Sequence, residues 1–276
     1  MTRVAGAMVA IVACAMGRTP GQSADLQRVL DAAAGYLERY EREVKSVVLE
    51  ERYLQRVPGD GLKRTLRSDL VIVSDANEGW IELRDVLEVD GRALGDQRDR
   101  IVALLSKPVP DAFVHARRLA DESARFNLHP ARARFHRSVN VPFTALRFLR
   151  RANQSRSSWH LDRTERVASQ TVALLRFEET ATPRLIGSKQ QFAASGAFWI
   201  AEDGAVLRTE LRTPEPMLAT IRVSYARHPT LGWWLPEAMQ ELYRVRPNPR
   251  VLIDVDGRAT YSNVRQFKVD TAISVK

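Results

Sequence analysis

Over most of this chain apolar and polar positions alternate with period two, most sharply between residues 196 and 269. Ala205, Leu207, Thr209 and Leu211 share one face of a predicted strand, with Val206, Arg208, Glu210 and Arg212 on the other. The next run repeats the pattern, setting Ala219, Ile221, Val223 and Tyr225 against Thr220, Arg222 and Ser224. Asp203-Gly204 fits a tight hairpin turn with two positive φ angles. Further runs follow over 232–245 and, after Asp256-Gly257, over 258–269. Four Asp-Gly pairs (60–61, 90–91, 203–204 and 256–257) stand at the ends of β-patterned runs, the mark of a hairpin-rich antiparallel sheet.

Ahead of this series the periodicity changes twice. Residues 25–43 carry Leu26, Val29, Leu30, Ala33, Leu37 and Tyr40 on one helical stripe, with Asp25 placed to cap it. Strands are predicted over 45–56, 66–74 and 80–89. Residues 97–106 and 112–126 then read as helices, the second capped by Asp111, and 143–151 as a third. In that third helix Phe143, Ala145, Leu146, Phe148 and Leu149 make an unusually apolar run. Strands resume at 159–162 and 167–178, and a run over 184–194 leads into the opening series. The expected fold is α+β: a curved, half-barrel-like antiparallel sheet, with the N-terminal helix and a central helical insert (97–151) packed on its concave face.

Residues 1–24 are set apart from the fold. Arg3 precedes an apolar run over 4–13, and a small-residue zone ends near Ala24, the layout of a secretory signal peptide. The apolar run is too short to span a bilayer, and no later run is longer, so no transmembrane segment is expected in the mature chain. Residues 25–276 then form a single domain, without internal repeats or a linker, and periplasmic or secreted. Cys14 is the only cysteine, which excludes a disulfide within the chain. Residues 11–14 loosely resemble a lipobox that would place a lipid on Cys14, but the short preceding segment favours loss of Cys14 with the leader.

The order of these elements resembles the bacterial outer-membrane lipoprotein-sorting superfamily, the LolA-like carriers. The residues that carry the likeness are Phe198-Trp199-Ile200 before an Asp-Gly turn, Val206-Leu207-Arg208-Thr209 after it, and the run from Ala219 to Tyr225. Trp234-Leu235-Pro236 and the closing run from Tyr261 to Phe267 fit the same plan. The resemblance covers roughly the last 85 residues and is architectural before them. It implies an open sheet with helices as a lid over an apolar cavity, and a role in holding acyl chains or lipoproteins. By alternation and apolarity, the cavity candidates are Trp80, Leu83, Phe143, Leu146, Leu149, Trp199, Ile221 and Val223.

Charge adds one further candidate. The chain carries a formal +9, and basic residues crowd between His115 and Arg137. Arg117, Arg118 and Arg125 are the candidates for an anionic group; a solvated face is the plain alternative. No recognition motif or stacking platform accompanies these residues, so nucleic acid is not expected. His115, His129 and His136 lack the close helical spacing of zinc ligands, and phosphate-loop, dinucleotide and Gly-x-Ser-x-Gly patterns are absent, so no metal, cofactor or catalytic residue is assigned. The reading is a non-enzymatic carrier of a hydrophobic ligand. The alternatives are an envelope scaffold or sensor domain that binds a protein partner without lipid, and a hydrolase.

Overall fold

A computed structural model describes residues 20–44, 47–75, 79–95, 100–105, 109–130, 137, 139–186, 192–215, 217–248 and 250–266. Among these residues, eleven strands form one antiparallel sheet in the order β4-β3-β2-β1-β11-β10-β9-β8-β7-β6-β5. The first four are β1 (Val47–Val57), β2 (Leu62–Asp75), β3 (Gly79–Val89) and β4 (Arg92–Ala93). After the helices come β5 (Ser157–Val167), β6 (Gln170–Glu179), β7 (Ser195–Ala201) and β8 (Val206–Thr213). The series closes with β9 (Met217–Arg227), β10 (Trp234–Asn248) and β11 (Val251–Gln266). Two up-and-down series thus meet where β1 pairs with β11, with Tyr53 opposite Ala259. The sheet does not close: β5 and β4 are its edges.

Helix α1 (Pro20–Val44) lies on one face, here the inner one. Leu26, Leu30, Ala33, Leu37, Tyr40 and Val44 recur at helical spacing and join one core with residues from β1, β2 and β5 to β11. Strands spaced about 4.8 Å apart would make eleven of them roughly 48 Å wide, whereas a helix with its side chains is only about 10–12 Å across. A core shared so widely needs the sheet to curl around the helix. Six of the ten described strand pairings carry a register shift, the irregularity that adds twist and bend to a sheet.

The insert divides between the two faces. Helices α2 (Arg100–Leu105) and α3 (Val109–Ala124) pack on the outer face, where Ile101, Leu104 and Ala116 meet Val48, Val71 and Leu83. These three strand residues are paired neighbours, Val48 with Val71 and Val71 with Leu83, so they form one row on the side away from α1. The chain then returns to the inner face as a 3-10 run (Thr144–Leu149) and the short helix α4 (Arg151–Gln154). The apolar run at 143–151 was expected as one helix. Its density of apolar side chains suits full burial, and Thr144, Ala145, Leu146, Phe148 and Leu149 are all buried in the tighter turn.

Several local expectations are corrected. Helix α1 begins at Pro20, a residue suited to a first helical position. Asp25 therefore lies inside the helix, paired with Arg28 at 2.8 Å, and does not cap it. Asp111 likewise falls in the first turn of α3. At Asp203-Gly204 only Gly204 has a positive φ, +87°. A β-carbon on Gly204 would lie 2.1 Å from the Ala32 carbonyl oxygen, so this turn is pressed against α1. Asp256-Gly257 is not a turn at all but lies within β11, for a reason that belongs to the site below. Residues 1–19, Cys14 among them, and His136 lie outside the described residues.

Two measurements check this description. Gly204→Ala puts a methyl group into the α1 backbone at a left-handed φ, and we expect it to destabilise the fold by at least about 2 kcal/mol in urea. The second concerns Asp85 of β3, buried near Arg100 (3.6 Å) and facing Asp69, Glu122 and, through Asp69, Arg265. Burial pushes its carboxyl up to about 6, against which Arg100 acts and to which Asp69 and Glu122 add. The folded state thus holds this proton more tightly than the unfolded one, so the contribution is stabilising at low pH and is lost as pH rises from about 4 through about 6. Asp85→Asn should remove that part of the pH dependence of unfolding.

Candidate functional site

On the inner face, β1 breaks its own apolar alternation. Val47, Leu49, Tyr53 and Val57 point toward the core, and so do Glu51 and Gln55, both fully buried. Glu50, the neighbour of Glu51, faces outward and bonds Asn263 at 3.0 Å. Across the sheet β10 does the same, burying Glu241 between Met239 and Tyr243. Glu241 lies flat against β11: a β-carbon at position 257 would come within 2.4 Å of its Oε1. That is why a glycine stands there, and why Asp256-Gly257 mimics a turn signal inside a strand.

These acids meet two buried arginines. Arg84 of β3 donates from Nε and Nη2 to the Glu51 carboxylate at 2.5 and 2.8 Å, and its guanidinium lies 4.7 Å from the Tyr53 ring centre. Tyr261 donates to Glu51 at 3.1 Å. Arg137, from the insert, donates to Glu241 Oε1 at 2.8 Å and to the Gln55 side-chain oxygen. Tyr53 donates its hydroxyl to the same Glu241 oxygen. Burial works against the charge of each arginine, but the neighbouring groups outweigh it: Glu51 holds Arg84 above its ordinary range, and Tyr53 with Glu241 does so for Arg137. Burial, with Glu241 adding to it, pushes the Tyr53 hydroxyl far up, so it remains a donor.

The same side chains fasten the returning insert by its backbone. Arg84 donates to the Asn140 carbonyl at 2.7 Å, Arg137 to the Leu128 carbonyl at 3.1 Å, and Tyr225 of β9 to the Pro142 carbonyl at 2.7 Å. Gln55 accepts from the Leu128 amide at 2.8 Å. Immediately after these fasteners the apolar run begins. Phe148 sits 4.6 Å from Phe177, which continues through Phe198 at 5.3 Å and Trp159 at 5.6 Å. Beyond the run, Arg150 pairs with Glu41 at 2.8 Å, and Arg151 pairs with Asp31 and Glu38 at 2.8 and 3.2 Å. Of residues 128–154, the described ones (128–130, 137 and 139–154) form a strap across the inner face, polar at both ends and largely apolar between.

The structure gathers five of the eight cavity candidates. Phe143, Leu146 and Leu149 of the strap share one core with Ile221 and Val223 of β9, and all five are buried. Leu83 is separated from them, lying under α2 and α3 on the outer face. Trp199 is half-buried and packs against the margin of that core, pairs with Arg208 and Leu174, and donates from its indole to Glu165 at 2.9 Å. The side chain of Trp80 lies outside the described residues, although its backbone pairs with Ser74 in β3. Arg117 and Arg118 are exposed on α3 and Arg125 just past its end, where it pairs with Glu122 at 2.7 Å. Two grooves, of about 430 and 320 Å³, have polar linings that include His160, Arg176 and Arg212 in one and Arg222 and Arg258 in the other. Among the described residues there is no cluster of three or more potential metal ligands.

Sequence reasoning assigned no site role to Glu51, Arg84, Arg137 or Glu241, and Arg137 entered it only as the end of the basic stretch. The available signal was acids and an amide on otherwise apolar alternating faces, at positions 51, 55 and 241.

No protein-family model matches the sequence, and neither does any curated protein. Solved structures similar in fold include a DUF1329 family protein from Desulfovibrio piger (12% identity, 90% of this chain and 95% of that one, TM-score 0.43). A second, from Vibrio parahaemolyticus, is described as an outer membrane lipoprotein-sorting protein domain (11% identity, 90% and 95%, TM-score 0.45). A third is a LolA superfamily protein from Nitrosomonas europaea (13% identity, 91% and 97%, TM-score 0.40).

Removing one member of a buried ion pair leaves the other charged and unpaired, at a cost of about 3–5 kcal/mol. Glu241→Ala should destabilise the protein by that amount in urea. Combining Arg137→Met with Glu241→Met should recover more than half of the loss, because neither charge is then stranded.

Proposed function

We propose that this protein is a non-enzymatic carrier in the cell envelope that holds the acyl chains of a lipid or lipoprotein between its sheet and its strap. One observation carries the reading: the apolar inner face is covered by a segment whose ends are held by polar bonds and whose middle buries Phe143, Leu146, Phe148 and Leu149. Such a segment can leave without unravelling the sheet, because none of the strand pairings runs through it.

The energies make an exchange feasible. Burying a large apolar side chain is worth about 1.5–3 kcal/mol, so the four residues Phe143, Leu146, Phe148 and Leu149 supply roughly 6–12 kcal/mol of contact. An acyl chain of about 14–16 carbons supplies roughly 11–13 kcal/mol gross at about 0.8 kcal/mol per methylene. Ligand and strap thus compete on similar terms for one surface. In the closed form seen here the strap occupies it; in the loaded form Ile221 and Val223 would contact the ligand, and Phe143, Leu146 and Leu149 would close over it. The exposed Arg117, Arg118 and Arg125 remain candidates for an anionic headgroup, and the leader-like pattern of residues 1–24 supports a place in the periplasm or the medium.

The buried pairs suit an opening segment better than a permanent one. Apolar residues of similar volume would fill the same space at equal or greater stability. Here, moreover, Gln55 Nε2, Arg137 Nε and Glu241 Oε2 are buried with no hydrogen-bond partner among the described residues.

Protein expressed with residues 1–24 should carry acyl-chain lipid into native mass spectrometry. Arg137→Gln, which weakens the strap's anchor, should bind a fluorescent fatty-acid probe at least about tenfold faster than the parent chain. Absence of lipid and of probe binding in both proteins would remove the carrier reading.

A further inference from the structure

Three large apolar side chains stand exposed on the outer face of β9, β10 and β11: Leu218 (38% exposed), Leu242 (41%) and Leu252 (49%). The register places them together. Arg244 of β10 is opposite Leu218 on one side and Asp254 on the other. Leu242 is two residues from Arg244 and Leu252 is two residues from Asp254, so all three leucines share that face around the Arg244–Asp254 pair, 3.0 Å apart. The patch lies at the sheet end that carries the β8–β9 and β10–β11 turns.

Positive charge surrounds it. On the same face stand Arg56, Arg212, Arg222, Arg244, Arg246 and Arg258, against the carboxylates Glu210, Asp254 and Asp256, an excess of three. The flanking turns add one charge of each sign, Glu215 and Arg250. Several of these arginines already meet an acid: Arg222 crosses to Glu210 at 2.6 Å, Arg212 meets the same acid along its own strand at 2.5 Å, and Arg56 crosses to Asp256 at 2.9 Å. Arg258 is exposed and has no ion-pair partner among the described residues. Side chains that can insert a short distance into hydrocarbon, ringed by guanidinium groups that can bind phosphate, match the boundary layer of an acidic bilayer.

We propose that this face docks the protein on an anionic lipid bilayer, with Leu218, Leu242 and Leu252 entering the interface and the surrounding arginines meeting lipid phosphates. The site is distinct from the inner face. It stands apart from the carrier reading, since membrane docking can be measured without any cargo. It does lie on the strand that holds the strap: β10 presents Leu242 and Arg244 outward and Glu241 and Tyr243 inward.

The test is co-sedimentation of the full chain, after removal of its leader, with vesicles of phosphatidylcholine alone or with about one-third phosphatidylglycerol. Binding should be at least about tenfold stronger to the acidic vesicles and should weaken by a similar factor between about 0.05 and 0.5 M sodium chloride, as screening shortens the reach of the arginines. Replacing Leu218, Leu242 and Leu252 together with serine should weaken it about tenfold, while Leu62→Ser, at an exposed leucine elsewhere (39%), should leave it unchanged. Arg222→Ser with Arg258→Ser, both at exposed positions, gives a second readout should the triple variant lose its fold, and should lower binding to acidic vesicles only. Equal binding to both vesicle types, no binding to either, or full binding by folded leucine and arginine variants would overturn the proposal.

Discussion

Arg137 and Glu241 are both wholly buried, and the bond between them ties a segment far from β10 in sequence onto the middle of the sheet. Arg84 and Glu51 make a second such tie on β1 and β3, and Tyr53 stands between the two pairs, under one guanidinium and bonded to the other pair's acid. Burying four charges is costly, and in a core built only for stability apolar residues would do as well. The position of the charges gives the cost a purpose. Arg84 also donates to the Asn140 carbonyl, and Arg137, itself in the strap, to the Leu128 carbonyl, so the cluster fixes where the strap crosses the sheet and makes its attachment polar. An attachment of that kind is geometrically strict when formed, and each of its groups can be taken over by water when it opens.

The rest of the architecture follows from one helix having to serve a wide sheet. Alone, α1 cannot cover eleven strands; the strap supplies the missing apolar surface, and salt bridges from Arg150 and Arg151 set it against the helix. On the other face α2 and α3 cover the β1–β3 end over a small separate core, and among the described residues no other helix packs there. The two faces have different characters as a result: one apolar and closed, the other charged, with leucines exposed at one corner.

Much of the fold was legible because alternation and turn chemistry are local. Strand β9 follows the alternation read from residues 219–225, while in β8 Val206 joins Leu207 in the core where the β7–β8 register shifts, and Asp90-Gly91 adopts the paired positive φ angles, 50° and 80°, that its dipeptide suggests. The hairpin between β5 and β6 was harder to see, since Ala168 and Ser169 take positive φ without a glycine. The candidate site was only half legible. Apolarity marked Phe143, Leu146, Leu149, Ile221 and Val223 as residues that end up buried in one core, because burial of large apolar residues is what a sequence shows best. It could not assign faces across an insert, so Leu83 was grouped with residues from which the whole sheet divides it. Nor could it find the ionic cluster. Glu51, Arg84, Arg137 and Glu241 come from four distant stretches of chain, and a buried ion pair has no signature in sequence beyond a charge at an apolar position. Asp256-Gly257 shows how the same dipeptide serves two purposes: here the glycine makes room for a carboxylate, and no turn is involved.

If the strap opens as a unit while the sheet persists, its amides should exchange with solvent through an opening that leaves β9 and β10 intact. Native-state hydrogen exchange, followed residue by residue over 139–154, measures this directly. The account predicts that these amides exchange at an opening free energy several kcal/mol below that of the β9 and β10 core, and that Arg137→Gln lowers it further without moving the core. Exchange of the strap only through global unfolding, at the same free energy as β9 and β10 in both proteins, would contradict it.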